Sequence, residues 1–404
     1  MRKTLNIYII LFLTTLSQAQ TNTAYQFKAE YIYGSILKHT VHLENLVKDP
    51  VQGAELAIEW KTMGEKPWHQ YYNFPTLGIG LVGLDLGNPE MLGQLLAIYP
   101  YMNLKLINTG FFKLNLKAGV GASFLNKRYN NTPHLENTLS APNGELNQAN
   151  AAIGSILNIY FAGGGNMEVP LFSGLSLVAA YNWNHASNGS FFQPNSGINM
   201  LNASVGFTYF PSFKTYIAPQ KKGTSSLPQK FSFDVIVSGG ARELYYKDDK
   251  MYPIASLAFG AYRQLGNNLR LGMGIDGFYD GVYNGNTMFK RTFLTTDELK
   301  NKIRVGLSLR PELVFGKLSA GMHFGLYLYN PLKNLEPCDS QGELINSTQK
   351  KPLIYSYNID NEDGWFYTRA SLKYAFSKHY FISLGLKTHL QKAEFIEWGL
   401  GYRL

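Results

Sequence analysis

LSLVAAYNWNH, residues 175–185, decides how the rest of the chain is read. Leu175, Leu177, Ala179, Tyr181, Trp183 and His185 form one row, and Ser176, Val178, Ala180, Asn182 and Asn184 form the other. Successive side chains of a strand point to opposite faces, so this period of two predicts a β-strand with one apolar face. The same dyad runs from Ile303 to Phe315, where Ile303, Val305, Leu307, Leu309, Leu313 and Phe315 oppose Arg304, Gly306, Ser308, Arg310 and Glu312. A soluble sandwich would turn the apolar row inward. Arginine, glutamate and glycine alternating with long apolar rows over about ten residues fit the reverse, an apolar exterior in lipid around a polar interior.

Outward from that stretch, strands are predicted near 26–37, 52–61, 76–85, 95–107, 110–126, 151–167, 174–184 and 199–210, then near 230–243, 252–264, 268–280, 302–315, 318–329, 364–376, 380–389 and 393–403. That makes about sixteen, an even number as bacterial outer-membrane barrels require. With both ends on the periplasmic side, the long connections 127–150, 281–301 and 330–363 all fall on the outer side. The fold class is all-β, a transmembrane antiparallel β-barrel.

A long-period repeat divides it. EYIYGSILKH (30–39) resembles DVIVSGGARE (234–243), and KLNLKAGVGASF (113–124) resembles KLSAGMHFGLYL (317–328). The expected organisation is a signal peptide at 1–19, an eight-stranded repeat at 20–210, a Pro-, Lys- and Ser-rich periplasmic linker at 211–229, and a second, degenerate eight-stranded repeat at 230–404. The repeats form tandem barrels or one barrel of about sixteen strands. Inward positions of the first repeat mix Ile32, Gly34, Ile36, Gly78, Gly80, Ile156 and Val178 with Glu30, Glu55, Glu59 and Lys61, a filling that suits a packed narrow barrel better than a water channel.

Composition agrees. MRKTLNIYIILFLTTLSQA has the cationic start, apolar run and small residues of a secretory leader. Beyond it no apolar run reaches the roughly 18 residues of a spanning helix. The formal charge of +9 includes Arg2 and Lys3 of the leader, and the remaining cations are not clustered as nucleic-acid binding requires. Cys338 is the sole cysteine, so no intrachain disulfide forms, and it lies in a polar loop with no assigned role.

Chemistry concentrates in HASNGSFFQPNSGIN, 185–199. On the outward parity of 175–185, His185 and Ser187 share the apolar face beyond Tyr181 and Trp183, and Asn199 points outward from the next strand. Serine becomes a nucleophile when a base accepts its proton, and a third group must fix the imidazole tautomer; Ser187, His185 and Asn199 can fill these roles. Asn188 and the amides near Gly189 can supply an oxyanion hole. Alternatively, the Asn, Ser, Gly and Pro residues only build turns in a polar hairpin.

HASNG and PNSGIN, with PWHQYYNFPTLGIG (67–80), LGQLLAIYP (92–100) and NAAIGSILN (150–158), resemble the outer-membrane lipid A 3-O-deacylases, or acyloxyacyl hydrolases, in their long Bacteroidota form, over about residues 25 to 210. The resemblance implies an eight-stranded barrel in the cell outer membrane whose His185 and Ser187 cleave the 3-O-linked acyl chain of lipid A. It implies lipopolysaccharide and outer-membrane lipids as partners and no cofactor or metal. The glutamate that completes the family's triad is matched here by Asn199. A weaker similarity, to outer-membrane phospholipase A, rests on HxSNG and a following asparagine; that reading would bring calcium and a homodimer, and a non-enzymatic porin or structural barrel is the third. Elsewhere, His389 is expected in a lumenal polar network with Glu397 and Arg403, Trp68 and His69 in a periplasmic turn, and Glu168 too far along its strand to serve His185.

Overall fold

Period-two alternation over 10 to 16 residues commits each segment to a strand whose two faces meet different surroundings. The computed structural model describes residues 24–40, 43–130, 149–222, 230–244, 250–283, 298–331, 352–356, 364–389 and 392–404. The expected leader and Cys338 lie outside them. The described strands are β1 (Ala24–Ile36), β2 (Val51–Lys61), β3 (Thr76–Asp85), β4 (Gln94–Asn108), β5 (Lys113–Leu125), β6 (Leu157–Phe172), β7 (Leu175–Ser187) and β8 (Ile198–Tyr209), followed by β9 (Phe231–Arg242), β10 (Tyr252–Gln264), β11 (Leu269–Asp280), β12 (Ile303–Phe315), β13 (Leu318–Tyr329), β14 (Phe366–Ala375), β15 (Tyr380–His389) and β16 (Lys392–Arg403).

Within β1–β8 and within β9–β16, consecutive strands pair antiparallel. β1 also pairs with β8, from Phe27↔Tyr209 to Ile36↔Met200, and β9 with β16, so two closed barrels of eight strands form rather than one of sixteen. Closure leaves no sheet edge with unpaired backbone groups, the condition for spanning hydrocarbon.

The faces segregate as the alternation predicts. Tyr31, Leu56, Ile58, Leu81 and Phe207 of the first barrel and Phe259, Ile275, Leu309, Phe324 and Ile382 of the second lie exposed on the exterior. So large a continuous apolar surface matches lipid, not water. Inside, Ile32, Ile36 and Val178 are buried beside paired charges. Glu55 meets Lys28 at 2.8 Å and Lys117 at 2.7 Å and accepts the Tyr99 hydroxyl at 2.7 Å. In the second barrel, Asp276 meets Arg310 at 3.0 Å and Arg369 at 3.3 Å and accepts the Tyr367 hydroxyl at 2.7 Å. A cavity of about 420 Å³ remains at the end of the first barrel where residues 210–221 cross it.

The expectation of a strand over 151–167 is corrected. β6 begins at Leu157 and continues past Glu168 to Phe172, with a register shift at Pro170/Phe172. Residues 151–156 are apolar for a different reason. They pack among the described connections at the end of the barrel where β1 ends and β8 begins, with Ala152 and Ile153 fully buried, and Ala152 O and Ile156 O accept the amides of Gly197 and Leu125.

The barrels touch through the connection between β2 and β3. Its short helix Pro67–Tyr71 sets Trp68 edge-on to Phe315, and Tyr72 stacks on the same ring at 4.4 Å while its hydroxyl donates to Asn268 O at 3.1 Å. Burial there pushes the Tyr72 phenol up to about 12. His389 is buried at the far end of β15, with its Nδ1 3.0 Å from Phe366 O.

Candidate functional site

β7 ends in His-Ala-Ser, and a strand's two-residue period puts His185 and Ser187 on one face. The register then places Asn199 directly across from His185 on β8, while Phe161 of β6 flanks the histidine on its other side. Directly opposed side chains on one face lie about 5 Å apart at Cβ, close enough for a short polar side chain to reach the ring.

The three polar groups join in line. His185 Nε2 lies 2.8 Å from Ser187 Oγ, and its Nδ1 lies 2.7 Å from Asn199 Oδ1. An amide oxygen accepts only, so Nδ1 carries the hydrogen and Nε2 is left as the acceptor for the serine hydroxyl. Trp183 stacks on the imidazole at 5.6 Å with planes 13° apart, and Phe161 lies 6.1 Å away. Ser187 is 4% exposed despite its outward parity. The returning chain covers it: a Cβ on Gly197 would stand 2.8 Å from His185 Cε1 and 3.5 Å from Ser187 Cβ, and Gly197 itself has φ +75°. Only glycine combines that backbone with that closeness.

A residue not singled out from the sequence completes the line. His39, just past the end of β1, lies with its Nδ1 3.3 Å from Asn199 Nδ2 and its Nε2 2.9 Å from Ser196 O. With Nε2–H donating to Ser196 O, Nδ1, which also stands 3.1 Å from Leu37 O, faces the Asn199 amide nitrogen, while Asn199 Oδ1 faces His185. Leu37 N donates to Asn199 O at 2.8 Å and fixes the backbone between them. The only sequence signal was the position of His39 at the end of EYIYGSILKH, since barrel closure between β1 and β8 is what brings it here.

Of the two expected oxyanion residues, Asn188 is tied into the loop. Its backbone amide donates to Asn195 Oδ1 at 3.2 Å and its Nδ2 to Ser155 Oγ at 2.8 Å. The Gly189 amide has no hydrogen-bond partner among the described residues. Glu168, at the opposite end of β6, pairs with Lys113 at 3.0 Å and accepts Thr208 Oγ1 at 2.9 Å. Glu136 and Glu145, acids on the long connection 127–150 at the same side of the barrel, lie outside the described residues.

Comparison with known proteins follows the two barrels. Residues 52–208 match the family described as lipid A 3-O-deacylase (PagL), and residues 231–338 with 353–404 match acyloxyacyl hydrolase, C-terminal domain. No curated protein matches the chain. Among solved structures, a mutant of Rhodopseudomonas blastica porin is 10% identical, with 94% of this chain and 100% of that chain covered at a TM-score of 0.17. A ferric enterobactin receptor (PfeA) is 9% identical, with 95% and 69% covered at a TM-score of 0.26. At such TM-scores these two carry no argument about this chain. The family matches take in most of both barrels, and the chain belongs to the lipid A 3-O-deacylase family of ester hydrolases, carrying that family's acyloxyacyl hydrolase C-terminal domain.

Proposed function

We propose that this protein sits in the bacterial outer membrane and hydrolyses the 3-O-linked acyl chain of lipid A, with Ser187 as nucleophile, His185 as general base and then acid, and Asn199 as the group that orients the imidazole. The observation that carries the reading is the 2.8 Å approach of Ser187 Oγ to His185 Nε2 on the exterior face of a barrel from a lipid A deacylase family. Catalytic groups aimed into a solvent channel would suit a soluble ester. Groups on the lipid-facing side suit a substrate whose acyl chains already lie in the leaflet.

In this mechanism Ser187 Oγ attacks the ester carbonyl as its proton passes to His185 Nε2, and the imidazolium then protonates the departing sugar alkoxide. Water, deprotonated by the same nitrogen, releases the fatty acid from Ser187. Asn199 Oδ1 holds the Nδ1–H throughout but adds no full negative charge to offset the imidazolium. The Gly189 amide is the proposed donor to the carbonyl oxygen, with Asn188 holding the turn that presents it. Trp183, Tyr181 and Leu201 share the site's face and offer the acyl chain an apolar bed. The site faces the outer leaflet, at the end of the barrel opposite the chain termini, and the reading invokes no cofactor.

The test is mass spectrometry of lipid A from cells expressing the wild-type chain, Ser187→Ala or His185→Ala. Loss of one ester-linked acyl chain is expected with the wild type alone. Removing either member of a coupled pair costs about as much as removing both, so each variant falls to background. Continued deacylation by folded Ser187→Ala would overturn the assignment.

A further inference from the structure

The ten residues 188–197 run from Ser187 to the start of β8, so their conformation sets the surroundings of the nucleophile. The first barrel anchors the two ends of this loop, through Asn188 Nδ2 to Ser155 Oγ at 2.8 Å and through Gly197 N to Ala152 O at 2.9 Å. The outermost part is gripped by the second barrel. Ser190 Oγ donates to Ala393 O on β16 at 2.7 Å. The Glu243 amide, just past β9, reaches Ser190 O and Phe191 O, both at 3.3 Å, and Glu243 Oε2 accepts the Gln193 amide at 2.7 Å.

Gly189 and Ser190 adopt left-handed conformations, with φ +60° and +69°. A Cβ on Gly189 would stand 2.4 Å from Ile396 Cδ1 and 3.2 Å from Leu386 Cδ1, so the loop is pressed onto the outer faces of β15 and β16. The contact falls two residues from Ser187, at the residue whose amide has no hydrogen-bond partner among the described residues.

We infer that the second barrel acts as a clamp on the Ser187 loop, with Glu243 as its positioning residue, holding the Gly189 amide ready for the oxyanion. The catalytic part of this inference rests on the reading of Ser187 as nucleophile. A donor aids a transition state most when it needs no reorganisation as charge develops. Lipid A binds along the exterior of the first barrel, on the face of Tyr181, Trp183 and Leu201, whereas the clamp bears on β15 and β16 of the second, so releasing the clamp raises the barrier to chemistry and leaves binding nearly unchanged.

The experiment uses the full chain in detergent micelles, with a p-nitrophenyl acyl ester and with lipid A, and compares Glu243→Ala, Glu243→Gln and Ser190→Ala. Glu243→Ala is expected to lower kcat by about 10-fold with KM changed by less than about 2-fold. Glu243→Gln keeps an oxygen for the Gln193 amide and recovers most of the rate. Ser190→Ala, which removes one side-chain contact and leaves Glu243 in place, gives a smaller loss of kcat. Hydrogen exchange at the amides of 189–193 accelerates in Glu243→Ala while exchange within β7 does not. Wild-type kcat in Glu243→Ala, a loss confined to KM, or unchanged exchange at 189–193 overturns the clamp. Ser187→Ala, measured in parallel, separates the two ideas: activity in that variant removes the nucleophile assignment, whereas loop exchange in Glu243→Ala reports on the clamp without any turnover.

Discussion

Asn199 stands where a carboxylate would hold the imidazole by charge as well as by hydrogen bond. In the proposed mechanism its contribution is orientation, and His39, with its Nδ1 3.3 Å from Asn199 Nδ2, borders the other end of the amide. Asn199→Ala is expected to lower kcat by about 10- to 100-fold, the value of roughly one well-placed hydrogen bond, with KM and thermal stability nearly unchanged. His39→Ala, which lets the amide turn, gives a smaller loss in the same direction. Steady-state kinetics on a soluble ester check both, and unaltered kcat in Asn199→Ala would place the third member elsewhere. Gly197 is the least replaceable residue of the site. Alanine there meets His185 Cε1 at 2.8 Å on a backbone with φ +75°, so Gly197→Ala should remove most activity and cost about 1–3 kcal/mol of stability. Activity assays alongside denaturant unfolding read the two effects.

At the scale of elements, each strand positions the site by carrying polar residues inward and apolar ones outward, and the inward groups hold the wall rigid. Glu55 on β2 joins Lys28 of β1 and Lys117 of β5 across the lumen. Glu55→Ala would leave two buried ammonium groups short of their shared carboxylate and should cost about 3–5 kcal/mol, read as a lower denaturant midpoint of the refolded barrel. Glu55→Gln should recover part of this, because it keeps an acceptor for the lysines. β6 shows where element boundaries escape local pattern. NAAIGSI is as apolar as a strand, yet Ala152 and Ile153 are buried under loops and make no barrel wall. Burial explains their hydrophobicity, and only the packed loops reveal that the burial is not that of a strand.

For the molecule as a whole, lipid is the solvent that the exterior is built to meet. Leu307, exposed in the middle of β12, should therefore tolerate no charge: Leu307→Arg is expected to cost about 2–4 kcal/mol in lipid vesicles, and less in micelles that deform around it. Equal losses in the two media would argue against a hydrocarbon-facing position. The same scale gives the second barrel its place. Inside it Asp276 pairs with Arg310 and Arg369, and its contacts with the first barrel lie at both ends, through Tyr72 on Phe315 and through Ser190 on Ala393.

The sequence by itself determined the strands, their inside and outside, and the meeting of His185 with Ser187, because a two-residue period is a property of the backbone and needs no partner. It also brought Asn199 within reach, since only ten residues separate β7 from β8 and a short connection forces neighbouring strands to pair. Two closed barrels were chosen by tertiary structure, because either closure satisfies the same alternation and only the pairing of β1 with β8 and of β9 with β16 distinguishes them. His39 reaches Asn199, and Glu243 reaches Gln193, only after those closures. These contacts join residues 160 and 50 positions apart, and no local preference of the chain encodes them; they exist because closing and packing the barrels brings distant ends to one place.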